Sequence, residues 1–260
     1  MSEQAQDARS PEKSGALHEV VEIIKTVVYA LGIALVLRVL LFQPFTIPSA
    51  SMVPNLLEGD YVVVSKYSYG WSRHSIPFSP PLFEGRVFAH EPHRGDIIVF
   101  KLPRDGKTDY VKRLIGLPGD RIVVRGGVVY LNGSPIPRKP LPPAMIDAGF
   151  GYARPVDQYL ETLPEGKSFV VNDFGPDNDL DNTSEFVVPE GHYFFMGDNR
   201  DNSSDSRVPP AEGGVGYVPA VNLEGKAQMV LLSWDKDASL FKPWTWFTHA
   251  RPGRFFKPVQ

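Results

Sequence analysis

Ser51 stands in a stretch whose residue types suit a nucleophilic hydroxyl. It lies within the segment PSASMVP, residues 48–54. The prolines at both ends restrict the backbone, and the small neighbours Ser49 and Ala50 leave the hydroxyl uncrowded. Proline and serine are also common turn formers, so the segment taken alone favours an ordinary turn. A catalytic interpretation depends on what other groups the chain supplies.

A possible base occurs in the run DYVKRLI, residues 109–115, where Lys112 and Arg113 are adjacent. Side chains alternate along a strand, so the two cations point to opposite faces and one of them is expected to point inward. Only lysine could act as a base, because burial can lower its pKa towards neutrality while arginine stays charged. The alternation does not decide which one is inside. Both could instead lie on an exposed edge strand, where lysine discourages aggregation.

A third polar stretch is GDNRDNSSDSR, residues 197–207. Short polar side chains of alternating charge are typical of a solvated loop that is hydrogen-bonded to itself. This loop, however, follows directly on the apolar run at residues 193–196, so it begins at the end of a strand that we expect to be buried.

Other groups of potential ligands do not predict a metal site. His90 and His93 are three residues apart, but Pro92 prevents a regular helix there and no third ligand is evident. Residues 177–181 imitate the opening of a calcium loop but lack its glycine and its closing glutamate. The chain has no cysteine, which excludes disulfides and thiolate metal sites. We therefore expect neither a metal nor another cofactor.

The elements that must position these groups begin with an apolar segment at residues 19–42. Its length matches what a helix needs to cross about 30 Å of hydrocarbon, and Lys25 and Arg38 near its ends can reach the headgroups. A buried core helix and a cleavable signal peptide are the alternatives. The preceding region is long and mixed in charge, which favours an uncleaved transmembrane anchor preceded by a cytoplasmic tail, residues 1–18.

The rest of the chain predicts a mainly β protein. Strand-like runs rich in β-branched and aromatic residues alternate with turn dipeptides, and 25 prolines and 23 glycines without a repeat fit many short strands. The pattern decays between about residues 134 and 182. We therefore expect an all-β catalytic domain at 43–120 and 189–260, with a loop-rich β insertion, an accessory subdomain, at 121–188. The formal net charge of −3 gives no sign of a nucleic-acid partner.

Together these pieces resemble one family, the bacterial type I signal (leader) peptidases, in their single-anchor form. The resemblance rests on the anchor and on ordered blocks: QPFTIPSASMVPNL (43–56) with GD (59–60), RGDIIVF (94–100), YVKRLIGLPGD (110–120), GDNRDNSSDSR (197–207), GYVP (216–219) and NLEGKA (222–227). The insertion and the tail beyond Trp234 match only loosely. Asn55 stands where the family more often has threonine, and Gln43 where an acid is common; we expect neither to carry chemistry.

The resemblance implies a serine protease without a catalytic histidine. Ser51 matches the nucleophile and Lys112 the general base, a pairing that is chemically sound because a serine hydroxyl needs a neighbouring base to become reactive. Ser49, with the backbone N–H of Ser51, matches the oxyanion hole. Ser203 matches the residue that orients the lysine. Two supporting ion pairs are implied, Asp205 with Arg207 and Arg113 with Asp198.

The resemblance also implies shallow apolar pockets that accept small side chains before the cut and exclude large ones. Their walls match eight residues: Phe45, Ile47, Met52, Leu56, Val62, Val99, Tyr110 and Val111. The strand edge at residues 109–114 would pair with an extended substrate by backbone hydrogen bonds.

The expected function is removal of N-terminal signal peptides from exported pre-proteins at the outer, periplasmic face of the bacterial inner (plasma) membrane, with the N-terminus cytoplasmic. The expected partners are those pre-proteins, the lipid bilayer and the export translocon. A dedicated or self-cleaving Ser-Lys peptidase and a non-catalytic, membrane-tethered β scaffold are the alternatives. The aromatic and basic tail, which includes Trp234, Lys236 and Phe241, either contacts lipid or covers the open side of the β core.

Overall fold

A computed structural model describes residues 12–147, 152–235, 238, 242 and 244–259. The first element is the helix α1 (Glu12–Leu40). Among the described residues, one helical segment, 18–40, is long and apolar enough to cross a membrane; its mean hydropathy is 2.2 and none of it is buried in the protein. The predicted tail lies outside the described residues up to residue 11. Residues 12–18 of the predicted tail are helical and continuous with α1, because a helix once nucleated extends readily into polar neighbours.

The rest of the described chain is mainly β, as the sequence predicts, and includes a second, one-turn helix, α2 (Thr245–Thr248). The strands, in chain order, are β1 (Phe42–Thr46), β2 (Asp60–Ser65), β3 (Trp71–Ser72), β4 (Arg86–Val87), β5 (Ile97–Lys101), β6 (Asp109–Gly116), β7 (Arg121–Arg125), β8 (Val128–Leu131), β9 (Ser134–Pro135), β10 (Arg138–Asp147), β11 (Ala153–Thr162), β12 (Ser168–Asp173), β13 (Phe186–Val187), β14 (His192–Met196), β15 (Val218–Pro219), β16 (Leu223–Ser233) and β17 (Lys257–Pro258).

The largest sheet has the strand order β1-β2-β16-β5-β6-β14-β15, with β17 paired to β16. All of its pairings are antiparallel. β6 pairs with β5 from Asp109 to Arg113, but it pairs with β14 only at Arg113, Leu114 and Gly116. Among the described residues no strand therefore covers the outer edge of β1 or the edge of residues 109–112 that faces away from β5.

More of the insertion is regular sheet than the sequence suggests. Strands β10, β11 and β12 form a three-stranded antiparallel sheet where we expected loops. The prolines of β10 obscured its pattern, but proline is tolerated in an edge strand, and β10 lies at the edge of its sheet with an irregular register between Leu141 and Ala144. Phe169 and Val171 of β12 pack in the same core cluster as Ile115 of β6.

The tail beyond β16 is partly docked on the β core. Arg254 pairs with the buried Asp60, and Val259 packs against the core cluster beneath β2. The ring centroids of Phe255 and Trp234 lie 6.0 Å apart. Other tail aromatics are exposed: Trp244, Trp246, Phe247 and Phe256. Part of the tail thus covers the β core, while the lipid interpretation stays a prediction for the exposed residues; Lys236 and Phe241 lie outside the described part of the chain.

Candidate active site

Ser51 sits in a short 3-10 turn, Ala50–Met52, just after β1. The next side chain, Met52, is fully buried and fixes the turn on the core. Asn199 holds the turn from the other side: its backbone N–H donates to the Ser51 carbonyl over 3.1 Å, and its Nδ2 donates to the Ala50 carbonyl over 3.0 Å. The nucleophile candidate is therefore carried by a rigid backbone.

Lys112 reaches Ser51 from the middle of β6. Its Nζ lies 2.5 Å from Ser51 Oγ, and the lysine side chain is buried. Alternation sends Arg113 to the opposite face, as expected, but both cations are buried and not just one. The reason is that both faces of β6 are covered: Ser51 lies on one side, and the Phe169 ring of the insertion stacks on Arg113 on the other.

Burial lowers the pKa of Lys112 to about 8, because the charged ammonium loses its hydration. Asp205 and Asp198 oppose this change, and Arg207 adds to it. A substantial fraction of the amine is therefore neutral near physiological pH, and a neutral amine in contact with a hydroxyl can accept its proton.

Two buried ion pairs lie beneath the site, and the structure brings the implied partners together. Arg113 contacts Asp198 through two hydrogen bonds, of 2.7 and 2.8 Å. Arg207 donates to both carboxylate oxygens of Asp205, over 2.9 and 2.8 Å. Burial by itself would raise the pKa of Asp205, but Arg207 and the backbone N–H groups of Gly197 and Arg207 together outweigh burial and hold that pKa below its ordinary value. Each buried charge is thus compensated by a bidentate partner.

Ser203 lies next to the site but is not hydrogen-bonded to Lys112 in the described structure. Its Oγ is buried and has no hydrogen-bond partner among the described residues. The space around it is tight: a Cβ added to Gly197 would lie 2.2 Å from Ser203 Oγ and 2.6 Å from the Ser51 carbonyl oxygen. Only glycine therefore lets the polar loop approach the serine turn this closely.

Ser49 stands beside the nucleophile candidate. Its Oγ is 3.4 Å from Ser51 Oγ, and both residues line the same cleft. A hydroxyl at this distance can turn towards an oxyanion that forms next to Ser51, which is what the resemblance implies for it.

The cleft has a volume of about 790 Å³ and lies between β1 and the start of β6. Its lining includes five of the eight implied wall residues: Phe45, Ile47, Val99, Tyr110 and Val111. The other three, Met52, Leu56 and Val62, do not line it. They are completely buried and pack behind Ile47 and Val99 in one core cluster, so they support the wall from within.

Sequence reasoning missed some residues that hold the site. Asn55, which we expected to carry no chemistry, donates from its Nδ2 to Asp198 Oδ2 over 2.7 Å and so ties the serine turn to an ion pair. Glu161 of β11 forms a buried ion pair with Arg200 of the polar loop. Arg200 stood in a recognisable motif, but no sequence signal pointed to Glu161.

This β fold and the contact between Ser51 and Lys112 have the features of hydrolases in which a lysine replaces histidine beside a nucleophilic serine. A comparison of the sequence with models of known protein families identifies its family. The model described as "Signal peptidase, peptidase S26" matches residues 20–234. The chain therefore belongs to the signal peptidase family, peptidase S26, a family of serine proteases.

Two relatives with known names agree with this assignment by sequence. The chain is 43% identical over 248 residues to signal peptidase I of Rickettsia typhi, and the match covers 88% of this chain and 90% of the relative. It is 40% identical over 250 residues to signal peptidase I of Rickettsia canadensis, covering 90% and 91%. A crystal structure of a signal peptidase I from Enterococcus faecalis matches with 29% identity, covers 53% of this chain and 97% of that one, and has a TM-score of 0.30.

Proposed function

We propose that this protein is a membrane-anchored endopeptidase that removes N-terminal signal peptides from exported pre-proteins, cutting after small residues through an acyl-enzyme. The observation that carries the proposal is the 2.5 Å separation of Lys112 Nζ and Ser51 Oγ at a cleft whose lining combines polar and apolar side chains. Family membership and relatives named signal peptidase I support the substrate class.

In the first half of the reaction, neutral Lys112 accepts the hydroxyl proton of Ser51 while Oγ attacks the scissile carbonyl carbon. The carbonyl oxygen becomes an oxyanion, which the backbone N–H of Ser51 and the Ser49 hydroxyl would stabilise. Such donors are worth about 3 to 4 kcal/mol each in other serine proteases. The C–N bond then breaks, and the Lys112 ammonium returns its proton to the leaving amine.

In the second half, the signal peptide is held as an ester on Ser51. Lys112, neutral again, accepts a proton from a water molecule that attacks the ester carbonyl. The tetrahedral intermediate collapses, the proton returns to Ser51 Oγ, and the signal peptide leaves with a free carboxylate. One peptide bond and one water are consumed, and the enzyme is regenerated.

Substrate selection follows from the shape of the cleft. Within the described part of the chain, β1 and residues 109–112 each have a strand edge without a partner strand, on the two sides of the cleft, so an extended peptide can add its backbone to either edge. Phe45, Ile47 and Val99 form apolar walls of the cleft, which would favour small side chains before the cut and exclude large ones.

The helix α1 would place this site near its substrates. Residues 18–40 have the length and apolarity of a membrane span, and the cleft-forming strand β1 begins two residues later. A signal peptide held in the same bilayer would meet the cleft at a raised effective concentration. We place the N-terminus in the cytoplasm and the β domain on the outer face of the bacterial inner membrane.

The direct test is cleavage of a purified signal-bearing precursor by the full-length protein. Ser51→Ala and Lys112→Met should each abolish processing while circular dichroism shows an unchanged fold. Matched controls are Ser134→Ala and Lys107→Met, the same substitutions at exposed positions, which should process normally. Full processing by either site variant would reject the mechanism.

A further inference from the structure

Glu224 of β16 is a buried carboxylate that the proposed mechanism does not use. Its side chain is only 2% exposed. Burial, followed by repulsion from Asp109, raises its pKa to about 6, while Lys101 and Lys66 oppose this change. The carboxylate is therefore largely ionised at neutral pH. Burying an ionised carboxylate costs free energy unless other groups compensate its charge, so the role of Glu224 depends on the groups that it contacts.

A β-bulge fixes the position of Glu224 in the sheet. The register between β16 and β5 shifts between Leu223 and Gly225, so Glu224 is the extra residue of the bulge. A bulge directs the side chain of its extra residue away from the direction that regular alternation gives. A Cβ added to Gly225 would lie 2.3 Å from the Ser65 carbonyl oxygen, so glycine allows β16 to pack closely against β2 here. The backbone that carries the carboxylate is therefore held on both sides.

Lys101, the last residue of β5, connects Glu224 to the first residue of β6. The Lys101 Nζ lies 3.1 Å from Glu224 Oε1 and 2.5 Å from Asp109 Oδ1. Asn222 Nδ2 donates to the Lys101 carbonyl over 2.8 Å, so the chain just before β16 also holds the lysine backbone. The side chain of Asp109 is 39% exposed, whereas that of Glu224 is buried. The two ion pairs therefore link a fixed interior charge to the more exposed start of β6.

The exposed end of this link lies at the cleft. Asp109 lines the cleft and is the first residue of the β6 edge, residues 109–112, which has no partner strand on the side away from β5 in the described part of the chain. Lys112 lies at the other end of that edge, about 10 Å further along an extended chain. Asp109 is therefore placed where it can affect substrate binding without taking part in bond cleavage.

A signal peptide would reach this end of the cleft with the residues that precede its cut. β1 and β6 run in the same direction, because they are linked through β2, β16 and β5 by antiparallel pairings, four in all. β1 begins directly after α1, so a peptide whose apolar segment shares the bilayer with α1 would enter at the start of both strands. With the first residue before the cut opposite Lys112, the third lies opposite Tyr110 and the fourth opposite Asp109.

We propose that Glu224 is a positioning residue for the substrate. Through Lys101 and Asp109, it holds the far end of the β6 edge in place for the fourth and more distant residues before the cut. This inference rests on the proposed function, because it requires that a signal peptide pairs with that edge. A strand edge binds an extended peptide through backbone groups that must stay in register with it, and an edge that is already fixed lowers the entropic cost of binding.

Two peptides that differ in length test the proposal on the full-length protein in detergent. One has three residues before the cut and ends opposite Tyr110, whereas the other has six and extends past Asp109. Both have a blocked N-terminus and the same small residues at the cut. The variants are Glu224→Gln, which keeps the size of the side chain, Lys101→Met and the double variant. Glu190→Gln, at an exposed position, is the matched control.

Both kcat and KM are measured for each peptide, and an inhibition constant against the longer peptide replaces KM where turnover of the shorter one is too slow. Circular dichroism and thermal unfolding show that each variant is folded. In Glu224→Gln, KM for the longer peptide should rise about five- to tenfold with kcat unchanged, as expected for the loss of about one hydrogen bond in binding. KM for the shorter peptide should change by less than about twofold.

Lys101→Met breaks the same link at a less buried position, so it should show the same preference for the shorter peptide even if Glu224→Gln does not fold. The double variant should be no worse than Lys101→Met alone, because both changes act through one link. Glu190→Gln should leave both peptides unaffected.

Equal rises in KM for the two peptides, or a fall in kcat alone, would show that Glu224 supports the fold in general, and would overturn the proposal. An unchanged KM for the longer peptide in the folded variants overturns it as well, and additive losses in the double variant exclude a link through Lys101. If the unaltered protein cleaves neither the longer peptide nor a purified precursor, the proposed function itself fails, and this inference fails with it.

Discussion

The lowered pKa of Lys112 predicts a specific dependence of peptidase activity on pH. The base must be neutral to accept the Ser51 proton, and burial brings its pKa from 10.5 to about 8. At pH 7.5 about a quarter of the lysines are then neutral, whereas an unperturbed lysine would be neutral in about one molecule in a thousand. Burial therefore raises the active fraction at this pH by roughly two orders of magnitude.

The quantity to measure is kcat/KM, which reports the pKa of the free enzyme, from about pH 6 to about pH 10. It should rise about tenfold per pH unit on the acid side, bend near pH 8 and then level off. A fluorogenic peptide with small residues before the cut, a blocked N-terminus and no titratable side chain serves as the substrate, so that no substrate group titrates in this range. The exposed control Lys107→Met should show the same profile as the unaltered protein.

The same shift makes a prediction about stability. The folded protein holds Lys112 with a pKa of about 8 and the unfolded chain with 10.5, so the unfolded state binds more protons between these values. Stability should rise with pH across this window, and below it the buried lysine costs about 3 kcal/mol. Lys112→Met should therefore increase the free energy of unfolding at neutral pH. If kcat/KM instead rises until about pH 10, and Lys112→Met lowers the free energy of unfolding, the lysine is not held in a desolvated site.

Two further substitutions test how the site is held. Gly197→Ala should greatly reduce activity and also lower stability, because its methyl group would collide with Ser203 and with the backbone of the serine turn. Gly253→Ala has open space and should leave activity in the same peptide assay unchanged. Normal activity of Gly197→Ala would mean that the close approach of the polar loop is not needed. Asp198→Asn leaves the buried Arg113 without its charge partner and should cost about 3 to 5 kcal/mol in urea unfolding. Glu185→Gln breaks an exposed ion pair and should cost less than about 1 kcal/mol; equal losses for the two variants would contradict this account.

Much of the fold was predictable because local patterns were strong. The apolar run that became α1 and the β-branched run that became β6 each have a composition that only one element type satisfies. β10 was missed because its prolines mask a strand pattern, and its edge position, which makes those prolines acceptable, is a property of the assembled sheet.

The residues of the candidate site were also predictable only in part. Ser51, Lys112 and the polar loop stand out as residue types and as family motifs in the linear sequence. Glu161 does not, since its only distinction is a buried ion pair with a residue 39 positions away. The same is true of Asn55, whose bond to Asp198 spans 143 positions.

The amino-acid sequence shows which groups are available: a membrane-length helix, a series of strands, a serine in a restrained turn and a lysine beside an arginine in a strand. Only the tertiary structure decided that the lysine and serine touch, since 61 residues separate them in the chain. It also decided that both Lys112 and Arg113 are buried. The physical reason is that desolvation depends on everything packed around a side chain. Here the serine turn covers one face of β6 and the insertion covers the other, and no local stretch of sequence records that arrangement.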